Sequence, residues 1–409
     1  LTITSAVLPQ IPESTLNHTD LGTLSAVLKD QFAQRHDHTV GRSTLRVNPA
    51  GNLEFVTLDD IQLSRPIITE DGVMSQFNPS GAYLISANAE AQIATMFKIP
   101  LDYLRRCKTL DPAFYAAQVN EWAKAAEGRN LLRMVYGQVP DHPEVIGVVR
   151  AVLSDKFKIM DNFDVVSDVF EAMGEVADEL GISIGPDNIR ALNLTENRLY
   201  IDIDVPEIAV NGRALVADYV SPYSRLSGAE LPLINAGIRF TNSEVGKGRL
   251  RATPHCTMQV CGNGMQMNSM EFARTHLGAQ LDEGYIQASN ETVSANAELI
   301  KSQLKDAVRT YLSEDFVNSV VDKLEADAGV AVTKPETTIK AVAKEMRYTE
   351  AQGDAILERF MQGRQFTSGG VYNAITAAAK DLNATDPDAE FELAGSAPQA
   401  MKVAARLAQ

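Results

Sequence analysis

Three cysteines in 409 residues, Cys107, Cys256 and Cys261, are too few and too irregularly placed for a disulfide framework. A stapled secreted domain is therefore not expected, and a reducing cytoplasm is the default setting. Long apolar runs are also missing. The longest, Val145 to Leu153, is broken by Arg150 and falls short of the roughly 18–20 residues a membrane helix needs, so no membrane partner is expected. The first fifteen residues hold no Lys or Arg and lack the positive start of a secretory signal. Positive charge is scarce overall: 37 Lys and Arg face 53 Asp and Glu, a formal charge of −16. That balance argues against indiscriminate coating of duplex DNA or anionic lipid. It leaves room for a local basic groove, because charge acts over a Debye length of about 8 Å at physiological salt. Aromatics make up only 6%, with a single Trp. The sequence contains no GxGxxG, CxxC, HExxH or Walker spacing.

What remains is globular in composition, with 45% hydrophobic and 22% charged residues and length for about two or three domains. Apolar spacing predicts helices over 21–34, 88–97, 101–107, 112–127 (Trp122 on its buried face) and 163–180, the last capped by Asp161. Strand patterns are expected at 131–136 and 145–153, with a hairpin over 43–57 and several strands between 182 and 260. His36, His38 and His142 fall in links and turns, where solvation is expected. Beyond residue 284, Ala, Glu, Lys and Leu recur at helical spacing. The acidic stretch 383–398 reads as loose and 399–408 as a last helix. The fold class expected is α+β: a largely antiparallel sheet with packed helices, then an all-helical C-terminal module. The divisions drawn are 1–90, a mixed α/β segment, 91–284, an α+β core, and 285–409, the helical module.

The most informative stretch is Arg239-Phe240-Thr241-Asn242-Ser243-Glu244-Val245-Gly246-Lys247-Gly248-Arg249-Leu250-Arg251. Gly246 and Gly248 allow backbone that turns successive N–H groups one way, an anion-binding concavity that Asn242 and Ser243 would border. Arg239, Lys247, Arg249 and Arg251 add charge, and Arg249 and Arg251 would share a strand face. Arg133 and Arg150 are further phosphate-binding candidates. The same loop also suits a solvated hairpin. Tyr200 to Val205 alternates, which puts Asp202 and Asp204 on one face, a spacing at which two carboxylates can share a divalent metal. A polar stripe facing solvent is the other reading. Glu244, Asp155, Asp202 and Asp204 are the catalytic candidates if the protein is an enzyme, with a divalent metal as its possible cofactor. His255, Cys256 and Cys261 fit no strong zinc spacing, and no metal ligand is assigned. Asn263 and Gly264, after Cys261, mark a turn.

Several segments together resemble a family of phage- and plasmid-borne proteins with a domain of unknown function. They are Ile99-Pro100-Leu101-Asp102-Tyr103-Leu104, Leu132-Arg133, Arg150-Ala151-Val152-Leu153-Ser154-Asp155-Lys156-Phe157, Asn242-Ser243-Glu244-Val245-Gly246, Cys261-Gly262-Asn263-Gly264-Met265 and Tyr372-Asn373-Ala374-Ile375-Thr376. They span roughly residues 90–380, and Asn-Ser-Glu-Val-Gly is the most specific. Gly262 stands where the family carries Thr, and His255-Cys256 lies outside the pattern. The resemblance implies a mobile-element origin and action in the host cytoplasm, and it supplies no reaction.

Three functions are then expected candidates. The first is nucleic-acid binding or annealing, of single-stranded DNA in particular, by a homo-oligomer with Tyr219, Tyr223 and Phe240 available to stack on bases. The second is an enzyme acting on a phosphorylated or nucleic-acid substrate. The third is an oligomeric structural protein whose Asn-Ser-Glu-Val-Gly loop is a subunit contact.

Overall fold

Asp20 opens the first helix, α1 (Leu21–Gln34), by accepting the Thr23 N–H at 2.9 Å. The computed structural model describes residues 8–56, 67–68, 74–75, 80–212, 218–221, 225–231, 233–259, 263–266, 272–274, 290–382 and 385–408. After α1 the chain runs straight into β1 (Arg35–Gly41), so the histidine-rich link expected there is a strand. His38 is buried with its ring 4.6 Å from that of Phe55, not solvated, and burial pushes its pKa down to about 4. The hairpin expected next is present as β2 (Arg46–Val47) and β3 (Leu53–Phe55). Gly51 takes φ +83° in its turn, a conformation glycine adopts without steric cost. Strands β4 (Ile67–Ile68) and β5 (Met74–Ser75) pair with each other. β6 (Gly81–Ile85) leads into α2 (Ala87–Phe97), α3 (Leu101–Leu110) and α4 (Pro112–Lys124).

β7 (Arg129–Tyr136) and β8 (Gly147–Ser154) complete the first sheet, in the order β1-β7-β8-β6-β3-β2. It is antiparallel except where β6 runs parallel to β8. The sequence division at residue 90 therefore runs through this sheet, since β1, β2, β3 and β6 precede it and β7 and β8 follow. One face buries Leu132, Met134, Val149 and Val152 against α2, α3 and α4. Trp122 does not join that core: it is 53% exposed. α4 carries two rival stripes at spacing four, Tyr115–Val119–Ala123 and Phe114–Gln118–Trp122, and the first is the buried one.

α5 (Asn162–Leu180) crosses to the second sheet, formed by β9 (Ile189–Leu194), β10 (Leu199–Asn211), β11 (Leu233–Asn242), β12 (Leu250–Met258), β13 (Asn263–Gln266) and β14 (Phe272–Arg274). Every pair in it is antiparallel, in the order β13-β12-β11-β10-β9 with β14 also on β12. Its apolar face, with Ile201, Ile203, Ile238 and Phe240, joins a core that includes α1, α5 and the C-terminal helices. These are α6 (Asn290–Tyr311), α7 (Glu314–Ala328), α8 (Pro335–Met346), α9 (Glu350–Gly363), α10 (Ser368–Leu382) and α11 (Pro387–Ala408). Glu171, Glu175 and Glu179 of α5 pair in step with Lys301, Lys305 and Arg309 of α6, so those helices run parallel. The acidic stretch expected to be loose forms most of α11, which continues through Pro398. Proline removes one helical hydrogen bond, but Leu393, Ala397, Ala400 and Met401 are buried on both sides of it, and packing outweighs that loss.

Candidate nucleic-acid interface

The Asn-Ser-Glu-Val-Gly bend joins β11 to β12 and reaches across to the first sheet. Glu244 is buried there. Its carboxylate accepts from Arg150 at 2.8 Å and from the Asn162 N–H at 2.6 Å, so it sits at the N-terminus of α5. Asp161, expected to cap that helix with its side chain, makes no such bond. Arg133 and Arg35 hold its carboxylate instead, each at 2.6 Å. Arg133 also contacts Asp37 at 3.1 Å and the Glu244 carbonyl at 3.3 Å. Arg35, Arg133 and Arg150 thus balance Asp37, Asp161 and Glu244. Burial pushes the Glu244 carboxyl up, but Arg133 and Arg150 prevail and hold it below the usual carboxylate range. Burial pushes Asp161 up, and there the arginines do not fully offset it.

Several other polar groups of the bend are also engaged inside the protein, although Asn242 Oδ1 is buried without a hydrogen-bond partner. The Asn242 amide donates to the Met160 carbonyl and to Asn162 Oδ1, both at 2.9 Å. Ser243 Oγ donates to the Asn197 carbonyl and accepts the Lys247 N–H. Asn88 and Gln92 of α2 donate to the Val245 carbonyl. Gly246 takes φ +77°, and a Cβ there would lie 2.5 Å from Leu153 Cδ2. The expected anion concavity is corrected accordingly: the bend locks the second sheet to the first, and Arg133 and Arg150 are compensated parts of that lock.

Arg239 lies elsewhere. Cross-strand pairing puts Tyr200, Asp202 and Asp204 of β10 on one face with Arg239 of β11 and Thr253, His255 and Thr257 of β12. The shared face expected for Asp202 and Asp204 is present, but it is buried, not a solvent-facing stripe. Arg239 bonds both carboxylate oxygens of Asp202 at 2.5 Å and Glu390 of α11 at 2.7 Å, so it too is neutralised by acids. Burial raises the Asp202 carboxyl, yet Arg239 brings it below its usual value. Asp204 accepts from His255 Nε2 at 2.7 Å and from Thr257 at 2.9 Å. Gly237 lies beneath that pair, where a Cβ would meet His255 Nε2 at 2.5 Å. Cys256 points to the opposite face from His255, and burial pushes its thiol up to about 12. Among the described residues no group of three or more His, Cys, Asp and Glu could hold a metal ion.

The other expected site residues scatter. Asp155 is exposed at the end of β8, beside Ser154, and Glu244 lies at the bend, so of the four catalytic candidates only Asp202 and Asp204 share neighbours, Arg190 and His255. Lys247 and Arg249 are solvent-exposed at the hairpin end, with Gly248 against the Arg198 side chain and Arg251 half-buried. Asn263 and Gly264 begin β13 instead of forming a turn. Cys261 and Tyr223 lie outside the described residues. Tyr219 and Phe240 are buried and offer no stacking face.

The surface that does present cations with aromatic rings is the α3–α4 hairpin, which sequence reasoning missed. Four cations, Lys98, Arg105, Arg106 and Lys108, accompany one acid, Asp102, over residues 98–110. Arg105 and Lys108 share buried Glu90, at 3.4 and 3.5 Å. Lys98 and Arg106 have no acidic partner among the described residues. α4 lies between α3, where Tyr103 donates to Gln118, and the segment bearing Arg42 and Arg46, where Asn120 bonds the Val47 backbone. Arg42 and Arg46 donate to neutral oxygens, of Asn130, Ser43 and Leu45. Of the acids on α4 and at its start, Asp111 caps the helix and Glu121 pairs with Lys124. Tyr103 is 45% exposed, Phe114 44% and Leu110 72%. The available signal was the four-residue spacing of Phe114, Gln118 and Trp122, which periodicity alone could not distinguish from the buried stripe.

No family model matches the chain, and neither a curated protein nor a solved structure matches it. No helix among the described residues is long and apolar enough to cross a membrane.

Proposed function

We propose that the protein binds nucleic acid. The observation that supports this reading is the contrast between its cations. Buried Arg133 and Arg239 and half-buried Arg150 are held by carboxylates, whereas Lys98, Arg106, Arg42 and Arg46 surround one helical hairpin without an acidic partner among the described residues. On a chain of net charge −16 that is a local patch of the sign a phosphate backbone needs. The sequence placed this positive potential at the β11–β12 bend, and the geometry supports the α3–α4 hairpin instead.

A mobility-shift assay with single-stranded and duplex DNA at two salt concentrations tests the reading. Binding should weaken steeply with salt, because phosphate contacts release counterions. Arg105→Glu with Arg106→Glu should abolish it, and Lys247→Glu with Arg249→Glu should leave it largely intact. Absence of any shift at low salt ends the proposal.

A further inference from the structure

We propose that the Tyr103–Phe114–Trp122 surface is a stacking platform for the unpaired bases of single-stranded DNA. The proposal rests on the nucleic-acid reading and adds which form of nucleic acid the hairpin takes and how. Phe114, Gln118 and Trp122 recur every fourth residue along α4, so their side chains follow one another on one side of the helix. Tyr103 joins this row through its hydroxyl on Gln118, at 3.4 Å. On α3, Tyr103, Arg106 and Leu110 recur at intervals of three and four, which puts a cation among the apolar groups. Phe114 and Trp122 are separated by about 12 Å along the axis, at 1.5 Å per residue, a span that suits two or three nucleotides of an extended strand.

The chemistry favours an unpaired strand. Rings of this exposure are not core residues, and a duplex keeps its base faces stacked on one another. An open strand offers both an apolar base face for each ring and a phosphate for each cation, and base–aromatic stacking tolerates any sequence. A purely apolar protein partner would match the rings and leave Arg106 and Lys98 without counter-charges. The charge pattern therefore selects the polyanion.

Trp122 is the only tryptophan, so intrinsic fluorescence of the full chain reports this surface alone. Titration with a single-stranded oligothymidylate at low salt should quench that fluorescence, while an equal-length duplex should not. Trp122→Ala, followed through a labelled oligonucleotide, should bind about tenfold more weakly, the effect expected for one stacked base. Phe114→Ala should act in the same direction while leaving Trp122 in place as reporter. If the oligonucleotide binds but Trp122 fluorescence and the Trp122→Ala affinity stay unchanged, the platform is wrong and nucleic-acid binding stands. Equal quenching by duplex, or tighter binding of the matching RNA, overturns the single-stranded DNA assignment. Quenching on raising protein concentration alone, with no response to DNA, would make the surface a contact between copies. No binding to any nucleic acid removes both proposals together.

Discussion

The β11–β12 bend and the α3–α4 hairpin have opposite relations between composition and exposure. The bend is rich in Gly, Lys, Arg and Glu, the usual makings of an anion site, yet Glu244, Ser243, Asn242 and the Val245 carbonyl are all bonded within the protein. The hairpin looks like two ordinary amphipathic helices, yet it leaves Trp122, Tyr103 and Phe114 in water. A polar motif thus serves architecture here, and the apolar stripe is what the molecule offers outward. The difference follows from hydrogen-bond demand. A buried polar bend uses most of its donors and acceptors within its own protein, and here Asn242 Oδ1 alone among its buried side-chain atoms is left without a partner among the described residues.

The strongest way to break this comparison is at Glu244. Glu244→Ala leaves Arg150 and the Asn162 N–H without their shared acceptor in a buried setting. Chemical denaturation should show a loss of about 3–5 kcal/mol, and Glu244→Gln a smaller one. A loss below about 1 kcal/mol, within the range of surface ion pairs, would show that the bend is no lock. Gly246→Ala should cost about 1–2 kcal/mol, because φ +77° disfavours a Cβ and Leu153 must give way, and the same denaturation measurement reads it. His38 tests the lobe beneath the hairpin. Its folded pKa, about 4, lies below the ordinary 6.5, so the unfolded chain takes up the proton first. Stability should fall as pH drops from about 6.5 towards 4, and His38→Leu should flatten that slope in thermal melts across the range. The smallest effect on stability should come from Trp122→Ala, within about 0.5 kcal/mol. A larger drop would mean that the ring supports the core after all.

Much of the fold was legible in the sequence. α1 follows from apolar spacing and α5 from apolar spacing that begins at Asp161, and β7 and β8 from apolar runs with a proline-containing turn between them. What periodicity could not supply was the choice between equivalent stripes on α4, which depends on which face the first sheet happens to meet. Nor could it show that Pro398 would be carried through a helix, because the packing that overrides proline comes from α10. The expected site failed for a related reason. Arg239 finds Glu390, and Arg133 finds Asp161, across separations of 151 and 28 residues, and local pattern holds no record of such partners. The Tyr372–Thr376 motif is likewise a buried helix, packed on every side.

The lock at the bend also constrains synthesis. The Asn88 side chain waits for the Val245 carbonyl, 157 residues further on, and Arg133 waits for Glu244, 111 residues on. A nascent chain emerging from the ribosome therefore holds a first sheet whose charged face lacks its counterpart until the second hairpin has been translated. The α3–α4 surface, by contrast, has the sheet it packs on once residue 154 has emerged, so its rings meet solvent long before the body that carries them is closed.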